Sequence, residues 1–358
     1  MHIRILVAAG TLLAGTLAAQ PVVSPADRVG LEGSSTTSYP LGRFNCRLQQ
    51  LHADLPQAGM TVAGHAYRRD AISTRGAVES YRVELSVALS AAPLTPETAS
   101  RTFAQNAGAT PVVVLPRTWI DFPATQRPSI DPAPLFELRI PYATTYAWAG
   151  GAAATLCMDT TVCGNDGPNG PNANFTAYED AHELHDDGTA EQPGYRYGNG
   201  CPAPGSSRAA TATFELRHLP TGMELEIKAR DGVASTPATP AVSALLIGFG
   251  AQSVSWPIRP TCTLLTEIVA AGVLNGANDD QGDWTGIVQA MRLPVGMDLY
   301  LQIASGHPLG GATLSDASHV QIPPLGQVPP AAVRIAHGSD RASASGTVSA
   351  TVPVTEFF

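Results

Sequence analysis

The sequence predicts an all-β protein made of two antiparallel β-sandwich domains. Short apolar runs alternate with polar residues at a period of two, which is typical of strands with one buried face. Turn-forming residues are frequent between these runs, with 34 glycines and 30 prolines. Charged residues make up only 14% of the chain, too few to supply the charged outer faces of long amphipathic helices.

Residues 1–19 have the pattern of a secretory signal peptide. An arginine precedes an apolar run at residues 5–13, and small residues suited to cleavage follow it. That run is too short to span a bilayer, and no later apolar run approaches 20 residues. We therefore predict an extracellular, cell-surface or periplasmic protein without a transmembrane segment after signal removal. Residues 20–38 are predicted to be an extended lead-in.

Residues 39–162 are predicted to form an N-terminal, jelly-roll-like sandwich. Residues 81–89 alternate most clearly, with Val and Leu on one face and Arg, Glu and Ser on the other. One short helix is predicted near 95–107, because Thr95 suits an N-cap, Pro follows it, and Gly108 can end the helix. Further strands are predicted at 60–67, 135–141 and 154–158, and two short apolar runs lie at 112–115 and 119–122.

Residues 200–325 are predicted to form a C-terminal, Ig-like sandwich. Seven strand candidates recur there every ten to twenty residues, separated by Gly, Pro or Asp turns. In the clearest one, residues 223–229, three apolar residues alternate with two glutamates and Lys228, the single lysine of the sequence. The seven candidates are 213–216, 223–229, 244–249, 261–269, 287–293, 299–303 and 313–322.

The segments outside the two sandwiches are predicted to be loosely structured. Residues 163–199 contain almost no aliphatic side chains, which favours a polar surface excursion at the domain boundary. Residues 326–358 are predicted to form a Pro-, Ser- and Ala-rich tail, with one further strand near 347–355.

Two segments, RLQQLH at 47–52 and GHAYRRD at 64–70, resemble the N-terminal region of a large group of uncharacterised secreted bacterial proteins. In that group an RxQQ segment leads to an FRRD-type strand. Segments of the second half, at Cys201, 244–249, 262–265 and 299–302, resemble the Ig-like module that accompanies it. The resemblance implies two β-sandwiches at a bacterial surface and implies no catalytic residue.

The net charge of −9 argues against a nucleic-acid partner, because no basic stripe is present to displace counterions. We expect instead a surface polymer, a polysaccharide or a protein as partner, and no cofactor. The first functional hypothesis is a non-enzymatic surface structural or adhesive protein. A carbohydrate-binding module would expose tryptophans on one face, and an extracellular hydrolase would hold two carboxyl groups within about 5–10 Å. The sequence contains no GxSxG, P-loop or GxGxxG motif.

Five cysteines are expected to form bridges in an oxidising compartment, with one left over. A Cys201–Cys262 disulfide would close a loop of about sixty residues and stabilise by roughly 4 kcal/mol in the chain-entropy model. A Cys157–Cys163 bridge would close a small loop, and Cys46 is a competing partner.

Three polar runs are metal candidates with simpler alternatives. The asparagine-rich run at 165–174 could offer oxygens to Ca²⁺, but it lacks the acidic positions of an EF-hand. On a helix, His182 and Asp186 would share one face with His185 beside them, as zinc ligands require. The run lacks HExxH spacing, and its alternative is a solvated polar turn. Residues 278–283 offer oxygens suited to Ca²⁺, but they lack the EF-hand pattern and also suit a hairpin turn.

Overall fold

A computed structural model describes residues 21–30, 33, 35–70, 77–126, 135–183, 191–219, 221–307, 310–323 and 330–358. The predicted all-β class is confirmed, because the described chain consists almost entirely of antiparallel strands with one four-residue α-helix. No helix among these residues has the length and apolar character needed to cross a membrane. The predicted signal peptide, residues 1–19, lies outside the described residues.

The strands are numbered in chain order. The first ten are β1 (Val22–Ser24), β2 (Ser35–Thr37), β3 (Cys46–His52), β4 (Met60–Tyr67), β5 (Tyr81–Ala92), β6 (Val112–Phe122), β7 (Leu138–Trp148), β8 (Thr155–Gly167), β9 (Gly170–Pro171) and β10 (Glu179–Glu183). The next nine are β11 (Glu191–Pro193), β12 (Tyr195–Tyr197), β13 (Thr211–Leu219), β14 (Gly222–Arg230), β15 (Val242–Trp256), β16 (Arg259–Val273), β17 (Trp284–Ala290), β18 (Asp298–Gly306) and β19 (Ala312–Gln321). The last four are β20 (Ala332–His337), β21 (Thr347–Ser349), β22 (Thr351–Pro353) and β23 (Thr355–Phe357).

The short helix predicted near 95–107 is present as two shorter pieces. A 3-10 helix covers Pro96–Thr98, where Thr95 and Thr98 form a reciprocal capping box, and α1 covers Phe103–Asn106. A second 3-10 helix, Ala26–Arg28, follows β1.

Strands β1–β10 and β20–β23 form what we call the N-terminal module. Its largest sheet has the order β21-β20-β3-β8-β5-β6, with β9 paired to β8. The other two sheets have the orders β1-β23-β4-β7 and β2-β10-β22. The alternation predicted at residues 81–89 is confirmed on β5, where Val83, Leu85, Val87 and Leu89 are at most 1% exposed and join one apolar core.

Strands β11–β19 form the C-terminal module, and all seven strands predicted in this half are present as β13–β19. Two sheets face each other, with the orders β11-β13-β14-β17 and β12-β19-β18-β15-β16. Their shared core includes Phe214 and Ile227 from the first sheet and Leu301 and Val320 from the second. The all-β sandwich prediction therefore holds here, while the finer descriptions, jelly-roll-like and Ig-like, stay predictions.

The last residues differ from the predicted loose tail at 326–358, because they complete the N-terminal module. Strand β20 pairs with β3 along six residues, and β23 lies between β1 and β4. Phe357 is fully buried and packs edge-on against the His52 ring at 5.0 Å. The C-terminal module is thus inserted between β10 and β20 of the N-terminal module.

Two more segments are better ordered than predicted. The lead-in at 20–38 supplies β1 and β2, which pair with β23 and β10. The excursion at 163–199 holds the end of β8 and the strands β9–β12. Apart from β9, which pairs with the end of β8, these short polar strands are stabilised by partners from other segments of the chain, so they show no local apolar alternation.

Buried charges join the two modules. The Arg28 guanidinium is 2% exposed, donates to both carboxylate oxygens of Glu215 on β13, and lies 3.2 Å from His182 Nε2 on β10. Arg68 Nε donates to Asp180 Oδ2 at 2.5 Å, and its Nη2 donates to the Arg28 carbonyl at 3.3 Å. A buried charge is tolerated only when paired and hydrogen-bonded, so this junction fixes β13 of one module against β10 of the other.

Replacing Phe357 with Ala is expected to lower the free energy of unfolding by about 3–5 kcal/mol, because a fully buried aromatic ring is lost from the core. Chemical denaturation followed by circular dichroism measures the change. The control Val295→Ala removes a side chain that is 56% exposed and should change stability by less than about 0.5 kcal/mol. Equal stability of the Phe357→Ala variant and the wild type would show that β23 is not part of the core.

The Glu179 carboxyl on β10 predicts a pH dependence of stability. Burial raises its pKa to about 8, although Oε1 accepts a hydrogen bond from the Leu41 amide at 3.0 Å. Between the unfolded pKa near 4.3 and this value, the folded protein holds a proton that the unfolded chain has released. The contribution of Glu179 to the free energy of unfolding therefore falls as pH rises through this window, by at most about 1.4 kcal/mol per pH unit.

Replacing Glu179 with Gln removes that ionisation and keeps the side-chain shape. Urea unfolding should show that the stability of this variant, measured relative to the wild type, increases between pH 5 and pH 8. The exposed Glu97→Gln control should retain the wild-type slope. Identical slopes in all three proteins would refute the buried protonated carboxyl.

Candidate functional site

A surface cavity of about 440 Å³ lies on the C-terminal module where β14 ends and β17 begins. Its volume is within the range of sites that hold small molecules, roughly 300–1,000 Å³. The wall combines two cations, two carboxylates, an indole ring and main chain. The lining residues are Lys228, Ala229, Arg230, Asn275, Gly276, Ala277, Asp279, Asp283, Trp284 and Thr285.

The alternation of β14 places the two cations on one face. Leu225, Ile227 and Ala229 pack into the core, so Lys228 and Arg230 point away from it. In the antiparallel pairing with β17, Lys228 lies opposite Thr285. The sequence predicted this polar face, but the structure differs in burying both cations: Lys228 is 6% and Arg230 2% exposed.

Residues 275–283 form the other wall of the cavity and are held rigidly. The Asn278 side chain donates to the Val233 carbonyl and to Ser305 Oγ, and accepts from Ser243 Oγ, each at 2.8 Å. Trp284 Nε1 donates to the Asn275 carbonyl at 3.0 Å. A fully hydrogen-bonded buried amide of this kind specifies one loop conformation.

The acidic part of this loop forms a turn. Asp279 Oδ1 accepts the main-chain N–H groups of Gln281 and Asp283, at 2.9 and 2.8 Å. Gly282 has a φ of +86°, and a Cβ there would lie 2.3 Å from the Gly232 carbonyl oxygen, so only glycine fits. For residues 278–283 the sequence left open a Ca²⁺ site or a hairpin turn. The contacts favour the turn, because Asp279 Oδ1 already accepts hydrogen bonds from two loop amides.

The cations have different surroundings within the cavity. Lys228 Nζ lies 3.1 Å from a Glu226 carboxylate oxygen. Arg230 Nε lies 3.6 Å from Asp283 Oδ2, which is beyond hydrogen-bond length. Within the described chain, none of the three Arg230 nitrogens has a hydrogen-bond partner. These nitrogens have almost no solvent-accessible surface, so an acceptor group reaches them only when a neighbouring side chain such as Asp283 moves aside. A buried guanidinium with unused N–H donors favours such an acceptor, and the planar fork fits a carboxylate, phosphate or sulfate.

His182 does not have the geometry on which the zinc prediction depended. It lies on strand β10 instead of a helix, it is 1% exposed, and its Nε2 is 3.2 Å from the Arg28 guanidinium. A neighbouring cation opposes metal binding. The other two candidates, His185 and Asp186, lie outside the described residues. Among those described, no group of three or more His, Cys, Asp or Glu is arranged to hold a metal ion.

The cysteine predictions had two different outcomes. The Cys201–Cys262 disulfide is confirmed, with a Cα–Cα distance of 5.3 Å, and it ties the residues after β12 to β16. The Cys157–Cys163 bridge is wrong, because both thiols are free and lie on one continuous strand, β8. Six residues of extended chain span about 20 Å, whereas a disulfide needs Cα atoms within about 7 Å. Cys46 is also free and is buried on β3.

The four tryptophans do not form a shared platform. Trp148, Trp256 and Trp284 are at most 8% exposed, and only Trp119 on β6 is largely open, at 42%. The Arg82 guanidinium covers the Trp119 ring at 4.9 Å. A sugar-stacking face of several coplanar indoles is therefore not present among the described residues.

Comparison of the chain with protein-family profiles, with curated protein sequences and with solved structures found no match in any of the three. The resemblance to secreted bacterial proteins therefore stays a prediction, and the function of the site rests on its own geometry.

The free thiols should differ in reactivity towards iodoacetamide in the folded protein. Burial raises the pKa of both Cys46 and Cys157 to about 12, so at pH 8 only about one thiol in 10⁴ is ionised. We expect mass spectrometry to find rapid alkylation at the half-buried Cys163 alone. Cys201 and Cys262 should react only after reduction. Alkylation of Cys46 as fast as Cys163 would contradict the burial, and alkylation of unreduced Cys201 would contradict the bridge.

Proposed function

We propose that the protein is a non-enzymatic binding protein of the cell exterior that adheres to an anionic surface polymer through the cavity on its C-terminal module. The observation that carries the proposal is Arg230: its guanidinium is buried, lines an open cavity and has no hydrogen-bond partner among the described residues. Lys228 adds a second buried cation to the same wall.

The chemistry of the wall favours a carboxylate-bearing saccharide. A bidentate carboxylate would satisfy the guanidinium fork, and the Thr285 hydroxyl and the main chain of residues 275–277 supply further hydrogen-bonding groups for sugar hydroxyls. The proposal thus joins the adhesive hypothesis to the carbohydrate-binding alternative, with charge recognition in place of tryptophan stacking.

Two observations support a location outside the cytoplasm. The Cys201–Cys262 disulfide is typical of an oxidising compartment. The pattern of residues 1–19 is that of a secretory signal.

The hydrolase alternative would use Asp279 and Asp283, the two carboxylates of this cavity. Asp279 Oδ1 accepts two loop amides, Asp283 Oδ1 accepts the Asp231 amide, and Asp283 Oδ2 faces Arg230. These contacts give both carboxylates a role in holding the loop and the guanidinium. They favour the binding function, and the hydrolase remains the second hypothesis.

Isothermal titration calorimetry with a galacturonic acid oligomer should detect binding to the full chain. Replacing Arg230 with Gln is expected to weaken the affinity at least about tenfold, since a charge-assisted hydrogen bond contributes about 1.5–3 kcal/mol. Lys228→Gln should also weaken it. Asp283→Asn should strengthen it, because the variant removes the anion that competes for the guanidinium.

The matched control is Arg292→Gln, which removes one positive charge from an exposed site on the same module. This variant should bind the oligomer like the wild type, and a neutral maltose oligomer should bind none of the proteins. Equal affinity of the Arg230→Gln and Arg292→Gln proteins, both folded by circular dichroism, would reject the cavity as the binding site.

A further inference from the structure

Two histidines lie in the interior of the N-terminal module, on either side of strand β23. His52 on β3 and His65 on β4 are both fully buried. Phe357 on β23 contacts the His52 ring edge-on at 5.0 Å and is the cross-strand partner of His65. Among the described strands, β23 is also the one partner of β1. Both imidazole rings therefore lie against the pair of strands β1 and β23.

The hydrogen bonds of His52 require a neutral ring. The Ser24 hydroxyl has one proton and donates it to Asp54 Oδ1 at 2.5 Å, so Ser24 Oγ accepts from His52 Nδ1 at 2.8 Å. The Gln50 side chain is oriented by Tyr67, which donates to its Oε1 at 2.9 Å. Gln50 Nε2 therefore faces His52 Nε2, at 3.5 Å, as a donor. A proton on His52 Nε2 would set two donors against each other.

His65 has no acceptor for a second ring proton. Its Nδ1 lies 2.8 Å from the Tyr142 hydroxyl, which donates to Met158 Sδ at 3.7 Å. Within the described chain, His65 Nε2 is buried and has no hydrogen-bond partner. An imidazolium at this position would bury a charge and an N–H group without an acceptor, which is costly.

The groups around the two rings do not compensate a positive charge. The charged and titratable groups on the neighbouring strands and loop are Asp54, Tyr67, Tyr142, Glu356 and Arg139. Asp54 reaches His52 only through the Ser24 hydroxyl. Glu356 points to the opposite face of β23 from Phe357 and lies 3.5 Å from Arg139. Burial raises the pKa of both tyrosines, so they stay neutral.

We propose that β1 and β23 form an acid-sensitive latch, which opens when His52 and His65 take up protons and which leaves the C-terminal module folded. Each of the two strands has three residues, so few main-chain hydrogen bonds oppose their release. Release brings both rings into water, where the charged form is stable. The C-terminal module has its own core and shares no strand with the latch. The latch does not depend on the binding function of the cavity.

Protonation favours the open latch. Burial lowers the pKa of both histidines to about 3, and the charge of His52 adds to this effect at His65. The open latch restores values near 6.5 and binds more protons, so the opening constant rises as pH falls through this window. The rise is at most about tenfold per pH unit for each histidine. Burial raises the pKa of Asp54 and Glu356, and their protonation opposes opening at lower pH.

The test is hydrogen–deuterium exchange of the full chain between pH 5 and pH 7, followed by mass spectrometry and corrected for intrinsic exchange rates. For each pH unit of acidification below pH 6.5, peptides that cover β1 and β23 should lose protection by more than about tenfold, up to about a hundredfold. Peptides from β14 should keep their protection. Slow exchange at the imidazole C2 carbons should show that neither latch histidine titrates above pH 5 in the closed protein.

The variants His52→Gln and His65→Gln each remove one ionisation and should each halve the logarithmic slope of protection against pH. The control His319→Gln removes an imidazole from β19 of the C-terminal module and should retain the wild-type slope. Three outcomes would overturn the proposal: latch protection that does not change with pH, parallel loss of protection in β14, or an unchanged slope in both latch variants. The first two are measured on the wild type, so they decide the proposal even where a glutamine variant does not fold.

Discussion

The structure depends on a set of buried charges between the two modules. Arg28, carried by the 3-10 helix after β1, pairs across the junction with Glu215 on β13, and beside it Arg68 pairs with Asp180 on β10 within the N-terminal module. Removing such ions from water is costly, and the cost is offset only when each finds its partner in the folded geometry. The charges therefore select one arrangement of the modules more than they add stability. Glu215 lies on the same sheet face as Lys228 and Arg230, so this junction also anchors the sheet that carries the cavity.

The fold class and the strands of the C-terminal module were predictable because their apolar alternation is local. In β14 and β5 the apolar side chains that enter the core are two residues apart, and the pattern alone predicts the strand. The single strand predicted near 347–355 is present as β21 and β22, but the place of β21, β22 and β23 in the N-terminal module was missed because each has three residues, too few to show a period. Only β20, with Val333 and Ile335 buried, carries a local signal that points to the core. A discontinuous module also cannot be recognised locally, since β3 and β20 are almost 300 residues apart.

The candidate site was predictable only in its parts. The sequence draws attention to Lys228 as the single lysine and to residues 278–283 as an acidic loop, but nothing in their spacing places them together. Arg230 follows Lys228 by two residues on the polar face of a strand, where solvent exposure is the ordinary expectation. Its burial comes from tertiary contacts with a loop some fifty residues away. The Cys157–Cys163 prediction failed for a related reason, because the pairing of β8 with β3 and β5 extends a strand that looks short in isolation.

The cavity is preformed, since its loop is held by Asn278, Asp279 and the close approach of Gly282 to Gly232. A preformed site does not lose loop entropy when the ligand binds. Adhesion through a single buried guanidinium needs this saving, because one charged group supplies most of the binding free energy. The most direct measurement of this claim is a crystal structure of the full chain soaked with a galacturonic acid oligomer. We expect a carboxylate within hydrogen-bond distance of the Arg230 guanidinium and a loop unchanged from the free protein. If the saccharide bound at another surface and did not enter this cavity, the proposed role of Arg230 would be contradicted.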